Sequence, residues 1–182
     1  MRRSLALIAF LAFPAALLLP ARAAGQALDD PTIVAIFDAA NTADIETGTL
    51  AAKRAQSKDV RQYGAMIAHD HEAVRQMGRD LAKKLAVTPT PPAGDASAKT
   101  QAEVVAALRA KHGADFDLAL IQHEVAFHKS VIDAIQTTLL PAIQNQELKA
   151  LVEKVVPAFQ AHLIAAQRLE RQLHETASTA AK

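Results

Sequence analysis

The chain has 182 residues, with 20 basic and 19 acidic side chains, a formal net charge of +1, no cysteine, no tryptophan and 4% aromatics. That length suits one domain. The missing cysteines exclude a disulfide scaffold, a cysteine-ligated zinc or iron–sulfur site, a thiol enzyme and a cysteine-linked lipoprotein anchor. Alanine supplies 41 residues, and no alternating apolar runs occur, so the expected class is all-α.

Residues 1–23 read as a signal peptide. Arg2 and Arg3 open it, an apolar run follows from Leu5 to Leu19, and Ala21-Arg22-Ala23 is a small-x-small cleavage pattern. Pro14 and Pro20 interrupt the run, which argues against a lasting membrane anchor. Removing the segment takes three arginines with it and leaves 17 basic against 19 acidic residues over 24–182. No dense basic patch remains, which argues against nucleic acid as a partner. The expected location is the periplasm, with no stable membrane insertion after cleavage.

The spacing of apolar residues predicts helices over about 31–54, 59–86, 114–138 and 144–175 within a single domain, 24–182. Asp29 or Asp30 can cap the first, and Pro31 suits its first turn. Ser57 and Lys58 make a short join, so the second helix should return antiparallel. The second carries the stripe Val60, Gly64, Ile67, His71, Val74, Gly78, Leu81 and Leu85. A Pro-rich stretch then opens a long crossover, 87–113. Thr100 and Glu103 there have capping-box spacing, predicting a short extra helix. Pro157 lies inside the last helix and predicts a kink. One long crossover between two short turns is the connectivity of a ferritin-like four-helix bundle.

Each of the four helices brings a polar residue into its apolar stripe, where burial is costly without a partner. These residues are Asp44 and Glu46 on the first helix, His71 on the second, Glu124 and His128 on the third, and His162 on the fourth. Counting from the turns puts Asp44 level with His71, and Glu124 close to His162. A third turn beginning near residue 139 puts His128 roughly 9 Å out of step with His162 at 1.5 Å per residue. Histidines on three helices, with carboxylates beside them, form a candidate site for one transition-metal ion: zinc, copper, nickel or iron. The candidate ligands are His71, His128, His162, Glu124, Asp44 and Glu46.

Several stretches carry a family resemblance. They are Ala43-Asp44-Ile45-Glu46-Thr47-Gly48-Thr49-Leu50-Ala51, the run from Val60 to His71, Gly113-Ala114-Asp115-Phe116-Asp117, His128, and Pro157-Ala158-Phe159-Gln160-Ala161-His162-Leu163. In this order and spacing they resemble the secreted bacterial family named domain of unknown function 4142, often labelled an outer membrane protein. The resemblance implies a ferritin-like four-helix fold and no established activity. No barrel strands and no second membrane segment are found to match the label.

No histidine has a glutamate three residues before it, so the Glu-x-x-His pairs of di-iron carboxylate bundles are absent. The chain also has no nucleophile elbow, phosphate-cradling glycine loop or His-Glu-x-x-His, which argues against an enzyme. The alternative to a metal protein is a non-catalytic envelope stress or interaction module, self-associating or bound to an envelope protein. Its core histidines and carboxylates would then be a structural network.

Overall fold

The structure, a computed structural model, describes residues 28–180, so the expected signal peptide lies outside the described residues. The described residues are helical, with no strand among them. In chain order they form α1 (Asp30–Arg54), α2 (Lys58–Lys84), α3 (Ser97–Arg109), α4 (Gly113–Ala134), a π-helical turn (Ile135–Leu139), the three-residue α5 (Leu140–Ala142) and α6 (Gln146–Ala180). No helix among the described residues is long and apolar enough to cross a membrane.

Local chemistry sets the helix starts. Asp29 caps α1 by accepting from the Thr32 N–H at 3.0 Å, and Pro31 sits in the first turn. Asn145 Oδ1 accepts from the Glu147 and Leu148 N–H groups and so starts α6. The expected capping box of α3 does not form. Asp95 instead accepts from both the N–H and the hydroxyl of Ser97, which begins the helix earlier and leaves Thr100 inside it. Gly113, at φ +56°, makes the left-handed step into α4. The chain does not break at Pro157: α6 runs through it, with the proline exposed.

Two carboxylate clamps, one buried and one partly exposed, fix how the helices run. Asp117 on α4 accepts from the Gln56 and Ser57 N–H groups at 2.9 and 2.6 Å, tying the start of α4 to the α1–α2 turn. At the other end, Asp30 on α1 accepts from the Gln144 and Asn145 N–H groups, both at 2.9 Å. The crossover through α3 must therefore return the chain to the end where α2 began. The pairs α1–α2 and α4–α6 pack most extensively, and α2 also packs on α6. Contact between α1 and α4 is sparse, and α3 lies across part of that seam.

The α1–α2 pair packs at close range because of two glycines. A Cβ on Gly64 would stand 2.4 Å from the Ala51 Cβ and 2.7 Å from the Gly48 carbonyl oxygen. The apolar core falls into two clusters. One contains Ile33, Phe37, Val74, Val131, Val152 and Phe159, and the other Leu50, Val60, Ile67, Phe116, Leu120 and Ala166. Apart from Asp117, the buried polar residues of each long helix lie where the two clusters meet, so a polar layer crosses the middle of the molecule.

Candidate metal centre

The polar layer is built from Asn41, Asp44 and Thr47 on α1, His71 on α2, Glu124 and His128 on α4, and His162 on α6, all buried. The rings of His71, His128 and His162 form a nearly equilateral triangle, with centroid separations of 5.5, 5.2 and 5.5 Å. Phe159 stacks on His71 with centroids 4.8 Å apart and floors one side.

The expected offset between His128 and His162 is not found, because the chain stays helical past residue 139. Leu140 N–H bonds the Ile135 carbonyl, five residues back, and the π turn carries the helix on through Ala142. The reversal therefore falls at 143–145, which brings the two histidines to one height.

Each ring donates its one N–H away from the centre. Asn41 Nδ2 donates to the Phe37 carbonyl at 2.7 Å, which turns its amide oxygen to His71 Nδ1, 2.9 Å away. His71 Nδ1 is thus the donor. His128 Nδ1 faces the Glu124 carbonyl oxygen at 3.1 Å, which can only accept. His162 Nε2 faces Asp70 Oδ2 at 3.0 Å. Wherever these rings are neutral, the opposite nitrogens, His71 Nε2, His128 Nε2 and His162 Nδ1, carry the lone pairs. Two of them, His71 Nε2 and His162 Nδ1, stand 3.3 Å apart, and His128 Nε2 has no hydrogen-bond partner within the protein.

Burial keeps two of these rings neutral. It pushes His71 down to about 2, helped by His128 and His162, and His128 down to about 3, helped by His162. Asp44 Oδ2 lies 3.4 Å from His71 Nε2, and its Oδ1 lies 4.0 Å from His128 Nδ1. Glu124 Oε2 lies 3.5 Å from the same nitrogen. Burial raises the Asp44 carboxyl well above its ordinary range, reinforced by Glu124, and burial raises Glu124 to about 7. Asp44 Oδ1, both Glu124 oxygens and the Tyr63 hydroxyl also lack a hydrogen-bond partner within the protein.

Two donor sets are close enough to hold a metal ion. One is His71, His128 and His162, and the other is Asp44, Glu124 and His128; within each set one donor atom per residue lies within 4.8 Å of the others. Five of the six residues singled out from sequence are therefore gathered in one place. Glu46 is not among them. It is exposed on α1, where its carboxylate accepts from Gln101 Nε2 of α3 at 3.2 Å. Two positions along a helix turn a side chain through about 200°, so Asp44 and Glu46 cannot both face inward.

Sequence reasoning missed Asn41, Asp70 and Tyr63. Asn41 could have been found as a polar residue four after Phe37 and three before Asp44 on the buried stripe. Asp70 carries no stripe signal, because it reaches His162 from the rim with its side chain 42% exposed. The remaining histidines stay apart. His69, His112 and His174 are exposed. His123 packs on Phe127, and burial lowers it to about 4.

No curated protein and no solved structure matches the chain. The model of the family described as Domain of unknown function (DUF4142) matches residues 16–169, a span that includes every residue of the cluster, and the chain belongs to that family.

Proposed function

We propose that this protein is a ferritin-like four-helix bundle of the periplasm that binds one transition-metal ion in its polar layer. His71 Nε2, His128 Nε2 and His162 Nδ1 would hold the ion, with Asp44, whose Oδ2 lies 3.4 Å from His71 Nε2, supplying oxygen and Glu124 negative charge from the far side of His128. Zinc, copper, nickel and iron all suit imidazole donors with carboxylates. The export part rests on the 1–23 segment of the sequence, and the ferritin-like part on the long crossover between two antiparallel pairs.

The observation that carries the metal reading is the direction of the three rings: every N–H is tied outward and every lone pair is left at the centre. Metal-bound histidines show this arrangement, with the second ring nitrogen donating to a carboxylate, carbonyl or amide oxygen. A metal-free network satisfies the layer less well. A proton on His162 Nδ1 could bond to His71 Nε2 at 3.3 Å. It would leave His128 Nε2 without a partner, at about 1–3 kcal/mol for the buried group, while Asp44 and Glu124 would have to share a proton between them. A water has two hydrogens to give to this collection of acceptors, whereas one cation can meet several of them.

The test is elemental analysis of mature protein purified after export, without affinity tag or chelator, beside the His71→Ala variant. The expected result is near-stoichiometric metal in the wild type and loss of it in the folded variant. No metal, and no uptake when Zn(II), Cu(II), Ni(II) or Fe(II) is offered, would overturn the reading and leave a structural network in an interaction module.

A further inference from the structure

Asp44, His71, His128 and His162 come one from each long helix: α1, α2, α4 and α6. An ion held by all four would tie every long helix to one point. The spacing of the donors decides which coordination geometry such an ion meets.

The first measure is the distance between donor atoms. His71 Nε2 stands 3.3 Å from His162 Nδ1 and 3.4 Å from Asp44 Oδ2. Four ligands at about 2.05 Å around a tetrahedral ion lie about 3.3 Å apart, whereas neighbouring ligands around a square-planar or octahedral ion lie about 2.9–3.0 Å apart. The second measure is the triangle of rings, with centroid separations of 5.5, 5.2 and 5.5 Å. A ring centre lies about 1.2 Å beyond its coordinating nitrogen, so three imidazoles on a tetrahedral ion have centres about 5.3 Å apart, and three on one octahedral face about 4.7 Å. A square plane would set two of the three rings opposite each other at about 6.5 Å, and the triangle has no such long side.

The shell is also closed. All four residues are buried, and Phe159 covers one face of His71. The void beside Asn41, Asp44 and His71 is about 20 Å³, room for one water and for no substrate. Glu124 Oε2 lies 3.5 Å from His128 Nδ1, on the side away from the centre, so it adds charge without taking a coordination place. Asp44 and Glu124 together match the charge of one divalent ion, and a change of oxidation state would leave a buried charge unpaired.

We infer that the polar layer is a closed tetrahedral site for Zn(II), which joins the four long helices through one ligand each and carries out neither catalysis nor electron transfer. The inference rests on the metal reading and narrows it from four ions to one. Zinc has no geometric preference of its own and takes four ligands in structural sites. Cu(II) and Ni(II) favour square-planar or tetragonal donors, and non-haem Fe(II) oxygenase sites use two histidines and one carboxylate with positions left open.

The test is a competition between Co(II) and Ni(II) for the metal-free protein, with Zn(II) added last. Affinity ordinarily rises from Co(II) to Ni(II). A tetrahedral shell should reverse that order, with Co(II) held at least about tenfold tighter than Ni(II) and Zn(II) displacing both. The bound Co(II) should show the strong visible bands of tetrahedral cobalt rather than the weak bands of six-coordinate cobalt, and azide should not shift them. Asp44→Ala should open one position, so that azide then shifts the bands. Ni(II) bound as tightly as Co(II), or weak six-coordinate bands, would overturn the tetrahedral shell. A shift of the wild-type bands by azide would overturn its closure. Bands indifferent to azide in folded, cobalt-loaded Asp44→Ala would overturn Asp44 as the fourth ligand, and the wild-type measurements decide the geometry even where that variant does not fold. Binding of none of the three ions would sink the metal reading itself, and this inference with it.

Discussion

The orientation of a buried imidazole is set by whichever atom takes its N–H. For His71 that atom is the Asn41 oxygen, itself oriented by the Phe37 carbonyl, and for His162 it is Asp70. Asn41→Ala should therefore weaken metal binding about 10- to 100-fold, the usual cost of losing a ligand's outer hydrogen-bond partner. A titration with Co(II), read in its visible bands, checks this, and unchanged affinity would show that Asn41 does not hold the ring. Asp70 separates charge from orientation. Asp70→Asn keeps an oxygen acceptor for His162 Nε2, so it should cost less affinity than Asp70→Ala, while slowing cation uptake as the rim charge is lost. Most of this site was legible in the sequence, because a polar residue in an apolar stripe advertises a buried partner: Asp44, His71, Glu124, His128 and His162 all stand out that way. Asp70 did not, since its role comes from reaching across to another helix. Glu46 was drawn in by its nearness to Asp44 in sequence, although it lies on the other face of α1.

The polar residues of the four long helices meet at one height only because of the helices' spacing and their turns. Gly48 and Gly64 let α1 and α2 approach until a Cβ on either would touch the other's backbone. Gly64→Ala should push the pair apart and destabilise the protein by about 1–3 kcal/mol, the typical cost of overpacking. In a chain of this size that lowers the melting temperature by roughly 2–4 °C per kcal/mol. Metal affinity should fall as well, since Asp44 and His71 sit on the separated pair. Pro157 is the opposite case. It costs α6 a hydrogen bond on an exposed face, so Pro157→Ala should raise the melting temperature, by up to about 3 kcal/mol of stability, and leave metal content unchanged. The all-helical class was readable from periodicity. The height of His128 was not, because a π turn has no periodic signature and the residues after 138 read as the end of a helix when they continue one.

Across the whole molecule, the two apolar clusters are joined through a layer of buried titratable groups, and this makes stability depend on pH in a way that reports the layer's state. His71, His128 and His123 are lowered to about 2, 3 and 4 in the folded chain, against about 6.5 when unfolded. As pH falls below about 6.5 the unfolded chain takes up protons that the folded chain refuses, so stability drops. The two carboxyls act with the opposite sign. Asp44 is raised and Glu124 is raised to about 7, so their contribution is present in acid and is lost as pH rises towards and through about 7. Three imidazoles outweigh two carboxyls between about pH 4 and 6.5, and above that only the carboxyl effect remains. The chelated protein should therefore melt highest near pH 6.5 and lower on both sides. A bound cation removes the alkaline limb, because it stabilises Asp44 and Glu124 in their ionised forms. It also adds about 2.7 kcal/mol of stability when free ion exceeds its dissociation constant a hundredfold. Melting curves from pH 4 to 9, with and without Zn(II), should separate increasingly as pH rises to about 7, the value to which Glu124 is raised. Parallel curves would show that the carboxyls of the layer do not meet the ion.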